Sequence, residues 1–287
     1  MSKNGWGSHP LAVDAATAFA SMEASVTVRL ISTFEPDLIS CEEDDLVHTI
    51  CESDRYRPFD YLPVKRGGRI IGLLALANVR SNFDVGPEPV FKHMKQIDDT
   101  ILISSDVGIL SFVEHAEEHP CRLVVSGMKL DGIVTLADLQ KLPVRPSIFF
   151  LITHLELLMA TTLRTTFKDD SDWVKLISSN RQGKIENKWD TLKVENLEID
   201  RLLATDFCDK RDLILKLGLF CSGITRNQAT KQLKSIEKLR DQVAHAGDIA
   251  STRAKALQTV NGVKSARQWI THLTALLTDR GYLPSRV

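Results

Sequence analysis

The chain has 287 residues and a formal net charge of −1, and 43% of its residues are hydrophobic and 25% charged. This composition is typical of a globular protein with enough apolar material for two cores. It excludes a strongly basic surface, so any RNA-binding surface must be a local patch. Five scattered cysteines without a CxxC pair predict free thiols in a reducing compartment, and no Cys/His cluster has the spacing of a zinc site.

Residues 1–24 are predicted to be an N-terminal extension, without the long apolar run of a signal peptide. The most apolar helical stretch, Ile148–Leu163, is short for a bilayer-spanning helix. His154 and Glu156 interrupt it; they can line a cleft, but the solvated side of the helix is the favoured prediction for both. These features predict a cytoplasmic protein without a membrane partner.

Before Pro146, short β-like runs alternate with short helical runs, and the pattern occurs twice. Three pairs of segments match: Leu38–Ser40 with Leu102–Ser104, Pro63–Val64 with Leu123–Val124, and Gly72–Leu74 with Gly132–Val134. Each copy follows the order strand, helix, strand, strand, helix. The sequence therefore predicts an α+β half of two βαββα repeats over residues 25–146, divided into about 25–85 and 90–146.

The second copy ends in a segment suited to nucleotide binding. In Gly132–Asp138 (GIVTLAD), Thr135 stands where a strand passes into a helix. Its hydroxyl and the first backbone N–H groups of the helix can face a phosphate. Asp138, about one turn further, can accept hydrogen bonds from both hydroxyls of a ribose. The alternative is purely structural: Thr135 ends the strand and Asp138 stabilises the first helical turn.

This segment resembles the closing motif of CBS domains, and the two copies resemble a CBS pair, or Bateman module, over about half of the chain. The resemblance implies a regulatory site for AMP, ADP, ATP or a related adenosine compound. Thr135 would contact the phosphate and Asp138 the ribose. The adenine would lie near Tyr61–Pro63 or near Cys121–Leu123, which makes Arg122 a further candidate.

The first copy departs from the motif. Ala75 and Asn78 stand in place of the threonine and the aspartate. Asn78 can still bond a hydroxyl group, but without the charge that strengthens such a bond. The sequence therefore predicts one strong nucleotide site and one weak or empty site.

After Pro146 the helical period takes over, which predicts an all-α bundle over residues 147–287. Ser178–Lys188 is polar and is predicted to be a loop. Further helices are predicted over Asp190–Asp206, Lys210–Phe220, Arg226–Ala246 and Ser251–Asp279, with Gly247 ending the third of these.

Arg240 lies on an apolar stripe of the helix that ends near Gly247, and His245 follows five residues later. A half-buried arginine requires an anionic partner, for which Asp241 and an RNA phosphate are candidates. Five residues on an ideal helix are about 140° apart. Arg240 and His245 can therefore share a site only if the helix end distorts or if two protomers each contribute residues.

The Arg240–His245 segment resembles the R-x4-6-H motif of HEPN ribonucleases, and the all-helical half fits that family. The resemblance implies metal-independent RNA cleavage by a homodimer, leaving a 2′,3′-cyclic phosphate and a 5′-hydroxyl. His245 would act as general acid/base and Arg240 would stabilise phosphoryl charge. Asp241 would orient one of them, and Lys234 and Lys238 would hold the RNA backbone.

Two plainer alternatives stand beside this one. The segment can be a solvated helix end, and a second match, Arg267 to His272 inside the last helix, is interpreted as accidental. The leading hypothesis is a nucleotide-regulated endoribonuclease, of the kind that suits a stress-response or anti-phage defence toxin. The alternative is a non-enzymatic nucleotide sensor whose helical half dimerises or binds a partner. An enzyme acting on the nucleotide itself ranks third, because the chain has no Walker loop, paired catalytic carboxylates or metal site.

Overall fold

A computed structural model describes residues 11–81, 87–167, 169–194, 201–221 and 223–283. The chain divides into two compact units. The αβ unit comprises Ala24–Val144 together with Ala250–Leu257. The helical unit comprises the remaining described residues, including those before Ala24. The sequence does not predict that residues 250–257 group with the αβ unit, or that the N-terminal segment groups with the helical one.

Ten α-helices and eight strands are present in the described residues. The helices are α1 (Leu11–Ser25), α2 (Val47–Glu52), α3 (Leu76–Arg80), α4 (Ile109–His115), α5 (Val144–Thr166), α6 (Asp170–Val174), α7 (Ser179–Val194), α8 (Phe207–Lys216), α9 (Arg226–Ala244) and α10 (Arg253–Asp279). The strands are β1 (Thr33–Phe34), β2 (Cys41–Glu42), β3 (Tyr61–Arg66), β4 (Arg69–Ala75), β5 (Lys95–Gln96), β6 (Leu102–Ser104), β7 (Cys121–Ser126) and β8 (Lys129–Thr135). A 3₁₀ turn over Leu136–Gln140 follows β8.

The αβ unit contains two four-stranded sheets, with strand orders β1-β8-β7-β6 and β2-β3-β4-β5. In each copy the first long strand is parallel to its predecessor and forms an antiparallel hairpin with the next strand. The predicted order of strand, helix, strand, strand, helix is confirmed in the first copy, whereas the second copy closes with the 3₁₀ turn Leu136–Gln140 in place of an α-helix. An edge strand of each sheet comes from the other copy, because β1 pairs with β8 and β5 pairs with β4.

The strand registers correct one of the predicted repeat matches. Cys41 pairs with Val64 in the first copy, and Ile103 pairs with Val124 in the second. Since Val64 and Val124 are equivalent, Ile103 corresponds to Cys41 and not to Ile39. The identical Leu-Ile-Ser triplets are therefore offset by two residues. Cys41 and Ile103 are both buried in the core, whereas Ile39 is only half-buried.

Glycines stand where the exchanged edge strands cross each hairpin. Gly132 pairs with Phe34 of β1, and Gly72 pairs with Gln96 of β5. A Cβ atom on Gly132 would lie 2.6 Å from the Phe34 ring, and one on Gly72 would lie 2.7 Å from the carbonyl oxygen of Lys95. The close approach of the exchanged strands therefore excludes a side chain at either position without local movement.

Helix α5 is longer than the predicted apolar stretch. Among the described residues it is the one helix that is long and apolar enough to cross a membrane by length and composition alone. Of its most apolar window, 67% is buried, which is the pattern of a core helix. His154 is also buried, and its ring lies 5.1 Å from that of Phe19, so the prediction that it faces solvent is wrong.

Two predictions in the helical half are wrong. The predicted loop Ser178–Lys188 lies largely in helix α7, because its Arg, Gln, Lys and Glu residues have good helix propensity and Ile185 anchors the helix by burial. The predicted helix does not extend to Asp206: residues 201–204 form a 3₁₀ turn, α7 ends at Val194, and residues 195–200 lie outside the described residues. Polar helices of this kind have too weak an apolar stripe to be recognised from periodicity.

Candidate functional site

The αβ unit contains a cavity of about 470 Å³, within the range of about 300–1,000 Å³ typical of small-molecule sites. Its walls come from four separate parts of the unit, namely residues 33–39, 58–61, 133–140 and 250–256, together with Pro120. Thr135 and Asp138, singled out in the sequence, are both among the lining residues.

Asp138 holds the turn that follows β8. Its Oδ2 accepts hydrogen bonds from the Thr135 backbone N–H at 2.6 Å and from the Thr135 hydroxyl at 3.0 Å. Its Oδ1 lies 2.8 Å from Nζ of Lys141, and only 12% of the side chain is exposed. Asp138 thus stabilises the turn, as the purely structural interpretation predicted. It can still bind a ligand, because a carboxylate accepts about four hydrogen bonds and three donors contact this one.

The same bonds restrict what Thr135 can do. A threonine hydroxyl has a single hydrogen to donate, and here it is donated to Asp138. In this arrangement Thr135 cannot also donate to a phosphate oxygen. The donor for a phosphate must therefore come from elsewhere in the cavity wall.

One of the two predicted adenine positions lies at the cavity. Tyr61 lines it together with Phe59, whereas Leu62 and Leu123 are fully buried in the core. Burial raises the pKa of the Tyr61 hydroxyl, and the guanidinium of Arg253 donates a hydrogen bond to it. The cavity thus has an aromatic wall, which a purine base can stack against.

The other two predicted nucleotide contacts do not line this cavity. Arg122 on β7 donates to the carbonyl oxygen of Leu102 at 3.2 Å, and burial lowers the pKa of its guanidinium. Asn78 on α3 is exposed, and its backbone carbonyl oxygen accepts a hydrogen bond from the Ser81 hydroxyl. The structure brings together Thr135 and Asp138, but places neither Arg122 nor Asn78 beside them.

Sequence reasoning missed several lining residues, including Asp37, Asp60, Gln140 and Arg253. Gln140 donates to the carbonyl oxygen of Ala250 at 2.8 Å and so holds the 250–256 segment at the cavity wall. Nothing near Arg253 in the sequence signals this position, because the segment is far from the repeat and opens a helix of the C-terminal half.

In the helical unit, Arg240 meets an acidic partner that the sequence analysis did not name. Its Nε lies 3.6 Å from Oε2 of Glu156 on α5, and its Nη1 lies 3.7 Å from Oδ1 of Asp241. Glu156 also accepts a hydrogen bond of 3.0 Å from Lys210, which is buried and donates to the carbonyl oxygen of Thr205. Burial lowers the pKa of Lys210, partly opposed by Glu156. Glu156 therefore belongs to a charged network and not to a solvated face.

His245 does not continue the helix. Helix α9 ends at Ala244, two residues earlier than predicted, and His245 is the exposed capping residue. Ala246 then adopts a left-handed conformation with φ of 53°, and the N–H of Gly247 bonds to the Gln242 carbonyl oxygen at 2.7 Å. This is a Schellman ending with alanine at the position that glycine usually takes. The chain leaves the helix only after His245, whose N–H still bonds to the Asp241 carbonyl oxygen at 3.0 Å, so the helix end does not bring His245 onto the face of Arg240.

The remaining predicted residues lie on the surface of α9 or in the network just described. Lys234 and Lys238 are exposed, as is Asp241. At the second motif match, His272 is half-buried, burial lowers the pKa of its ring, and that ring lies edge-on to Trp269. This environment suits a packed residue better than a catalytic one.

One cluster of possible metal ligands occurs in the described part of the chain: Asp206, Cys208 and Asp209. The guanidinium of Arg181 bonds to both carboxylates. Lys188 lies 3.4 Å from Asp206 as well, so the two carboxylates have two cationic partners and the cluster is an ion-pair network at the start of α8.

No family model matches the chain, and no curated protein matches it significantly. Three solved structures with similarity to it are all CBS domains. The CBS domain of a bacterial CNNM/CorC family Mg²⁺ transporter in complex with ATP is 15% identical over 46% of this chain and 96% of that chain, with a TM-score of 0.37. The CBS domains of a transcriptional regulator from Streptococcus pneumoniae are 19% identical over 40% and 98%, with a TM-score of 0.34.

The third, a CBS domain-containing protein of unknown function from Bacillus anthracis, is 15% identical over 43% of this chain and 96% of that chain, with a TM-score of 0.37. The two sheets by themselves show the α+β fold of the αβ unit, in which the two copies have equivalent strand registers and exchange edge strands.

Proposed function

We propose that this chain is a nucleotide-sensing regulatory protein whose αβ unit binds an adenine nucleotide in the cavity beside Thr135 and Asp138. The observation that carries the proposal is that both motif residues line one cavity of about 470 Å³ with two aromatic residues, Phe59 and Tyr61. The acceptor position left on Asp138 suits a ribose hydroxyl, and the aromatic wall suits a base.

Replacing Asp138 with asparagine tests the ribose contact. The amide oxygen of Asn can still accept the Thr135 N–H, so the turn persists, but the charge-assisted bond to a ligand hydroxyl is lost. Such bonds contribute about 1.5–3 kcal/mol, so we expect calorimetry to show affinity for the preferred nucleotide reduced roughly 10- to 100-fold. Asn78→Ala, at the equivalent position outside the cavity, serves as the control and should leave affinity unchanged. Equal binding by Asp138→Asn and wild type would remove Asp138 from the site.

We further propose that the helical unit is the output domain and cleaves RNA as a homodimer without a metal ion. The supporting observation is that His245, at the C-terminal end of α9, is exposed and that the Arg240 side chain keeps 36% of its surface accessible, so residues of two protomers can complete one site. His245 would move protons between the ribose 2′-hydroxyl and the leaving oxygen, and Arg240 would stabilise charge on the phosphoryl oxygens. Asp241 would hold Arg240, and Lys234 and Lys238 would hold the RNA backbone.

Incubation of purified protein with total RNA in the presence of EDTA, with and without each adenine nucleotide, tests this second proposal. Loss of a general acid/base typically costs about 10²- to 10⁴-fold in rate, so we expect His245→Ala to lower cleavage by at least about 100-fold. His48→Ala, an exposed histidine of the αβ unit, is the matched control. Equal cleavage by His245→Ala and wild type, or no cleavage by either, would favour the alternative of a non-enzymatic sensor whose helical unit dimerises or binds a partner.

A further inference from the structure

The cavity wall contributed by residues 250–256 carries a positive charge, which the rest of the described cavity lining lacks. Among the described residues that line the cavity, three carry carboxylates, Asp37, Asp60 and Asp138, and Arg253 is the one that carries a positive charge. A carboxylate repels a phosphate, whereas an arginine presents five N–H donors in a planar fork that matches phosphate oxygens. The lining therefore offers one position at which a phosphate group is stabilised.

The Thr135 hydroxyl, which the motif predicts as the phosphate donor, already makes another hydrogen bond. The Thr135 hydroxyl donates to Asp138, and the nearby ammonium group of Lys141 lies 2.8 Å from the other oxygen of the same carboxylate. Arg253, by contrast, is an exposed residue of the cavity wall, and its guanidinium donates to the neutral Tyr61 hydroxyl. One bond to a phenol leaves most of its donors for a ligand.

We propose that Arg253 binds the phosphate of the nucleotide and that the cavity selects a nucleoside monophosphate over a di- or triphosphate. This inference rests on the proposed nucleotide site and adds its phosphate subsite and its specificity. One phosphate can pair with Arg253 while the ribose reaches Asp138 and the base reaches Tyr61. Each further phosphate adds negative charge in a cavity that already holds three carboxylates and no second cation among its lining residues.

Arg253 lies close in the sequence to His245, so a ligand bound by Arg253 can affect the segment that follows the Arg240–His245 motif. Ala250, held by Gln140, is five residues beyond His245, and Arg253 begins α10. Between them, Thr252 caps the helix, because its hydroxyl oxygen accepts the N–H of Lys255 at 3.2 Å. A phosphate bound by Arg253 therefore fixes the segment that directly follows the Arg240–His245 motif. Hydrogen exchange across residues 245–257 should slow when a monophosphate is bound, and slow less with adenosine.

The test is calorimetry of the full chain with adenosine, AMP, ADP and ATP in the absence of divalent metal. The variants are Arg253→Gln, Arg253→Lys and Lys255→Gln, the last being an exposed cation of the same helical turn that does not line the cavity. We expect wild type to bind AMP about 10-fold or more tighter than adenosine, ADP or ATP. Arg253→Gln should lower the affinity for AMP to the affinity for adenosine and leave adenosine binding unchanged. Arg253→Lys should keep part of the preference for AMP over adenosine. Lys255→Gln should bind all four compounds as wild type does.

The outcomes separate this inference from the function on which it rests. Binding of none of the four compounds by wild type would overturn both. Nucleotide binding by wild type with the same AMP-to-adenosine ratio in Arg253→Gln would overturn the role of Arg253 and leave the nucleotide site standing. ATP or ADP binding as tightly as AMP would overturn the selectivity. Because Arg253 is exposed, its substitution should not impair folding, and unchanged thermal melting of Arg253→Gln would verify this.

Discussion

Replacement of Glu156 by glutamine should destabilise the helical unit by about 3–5 kcal/mol, the usual result of removing one partner of a buried ion pair. Lys210 has only 2% of its surface exposed, and Glu156 is its carboxylate partner at 3.0 Å. In the variant, a buried ammonium group would keep its bond to the Thr205 carbonyl oxygen but lose its counter-charge. Arg240 would lose a partner at the same time.

Urea unfolding followed by tryptophan fluorescence measures this effect, since Trp173 and Trp269 are both buried in the helical unit. The double variant Glu156→Leu with Lys210→Met is the matched control. It removes both charges and keeps the volume apolar, so it should recover most of the lost stability. If the single variant were as stable as wild type, the Glu156–Lys210 pair would not be a structural element of the unit.

The same variant should also show a distinctive pH dependence. Burial lowers the pKa of Lys210 below 10.5 in the folded protein, and Glu156 opposes that shift. A lysine with a lowered pKa binds fewer protons folded than unfolded, so stability rises with pH between the folded-state pKa and 10.5. Without Glu156 the folded-state pKa falls further. The deficit of Glu156→Gln should therefore shrink as the pH is raised toward 10.5, and a deficit independent of pH would contradict this account.

Alanine at the two equivalent hairpin glycines should destabilise the αβ unit unequally. At Gly72 the new Cβ atom would meet a backbone atom, the Lys95 carbonyl oxygen of β5, at 2.7 Å, so the exchanged strand itself must move. At Gly132 the nearest atoms belong to the Phe34 ring, which can rotate away. Overpacking costs about 1–3 kcal/mol, and we expect Gly72→Ala near the upper end of that range and Gly132→Ala near the lower.

Far-UV circular dichroism in urea, compared across wild type and both variants, measures the difference. Each glycine serves as the other's control, because the two occupy equivalent positions in the two copies and both face an exchanged edge strand. A larger loss for Gly132→Ala than for Gly72→Ala would mean that the ring of Phe34 is held more rigidly than the backbone of β5. That result would contradict the assignment of β5 as the more restrictive contact.

The candidate site could be predicted only in part. Thr135 and Asp138 were recognisable because strand end, turn and carboxylate are neighbours in the sequence, and the structure places both at one cavity. Arg122 was proposed from its neighbourhood in β7, but the alternation of side chains along a strand and the pairing of its guanidinium with Leu102 place it elsewhere. Glu156 was assigned to the solvated face, because periodicity on α5 cannot reveal that Lys210 lies opposite.

Local patterns by themselves determined the element order of the αβ unit, the existence of two copies, and the long helices α9 and α10. Those features depend on residues a few positions apart, where periodicity and capping act. The tertiary structure decided the exchange of edge strands, the two-residue correction of the repeat match, and the arrival of Arg253 at a cavity that also contains Asp138. These depend on which distant surfaces bury each other, and no pattern within one segment specifies its partner.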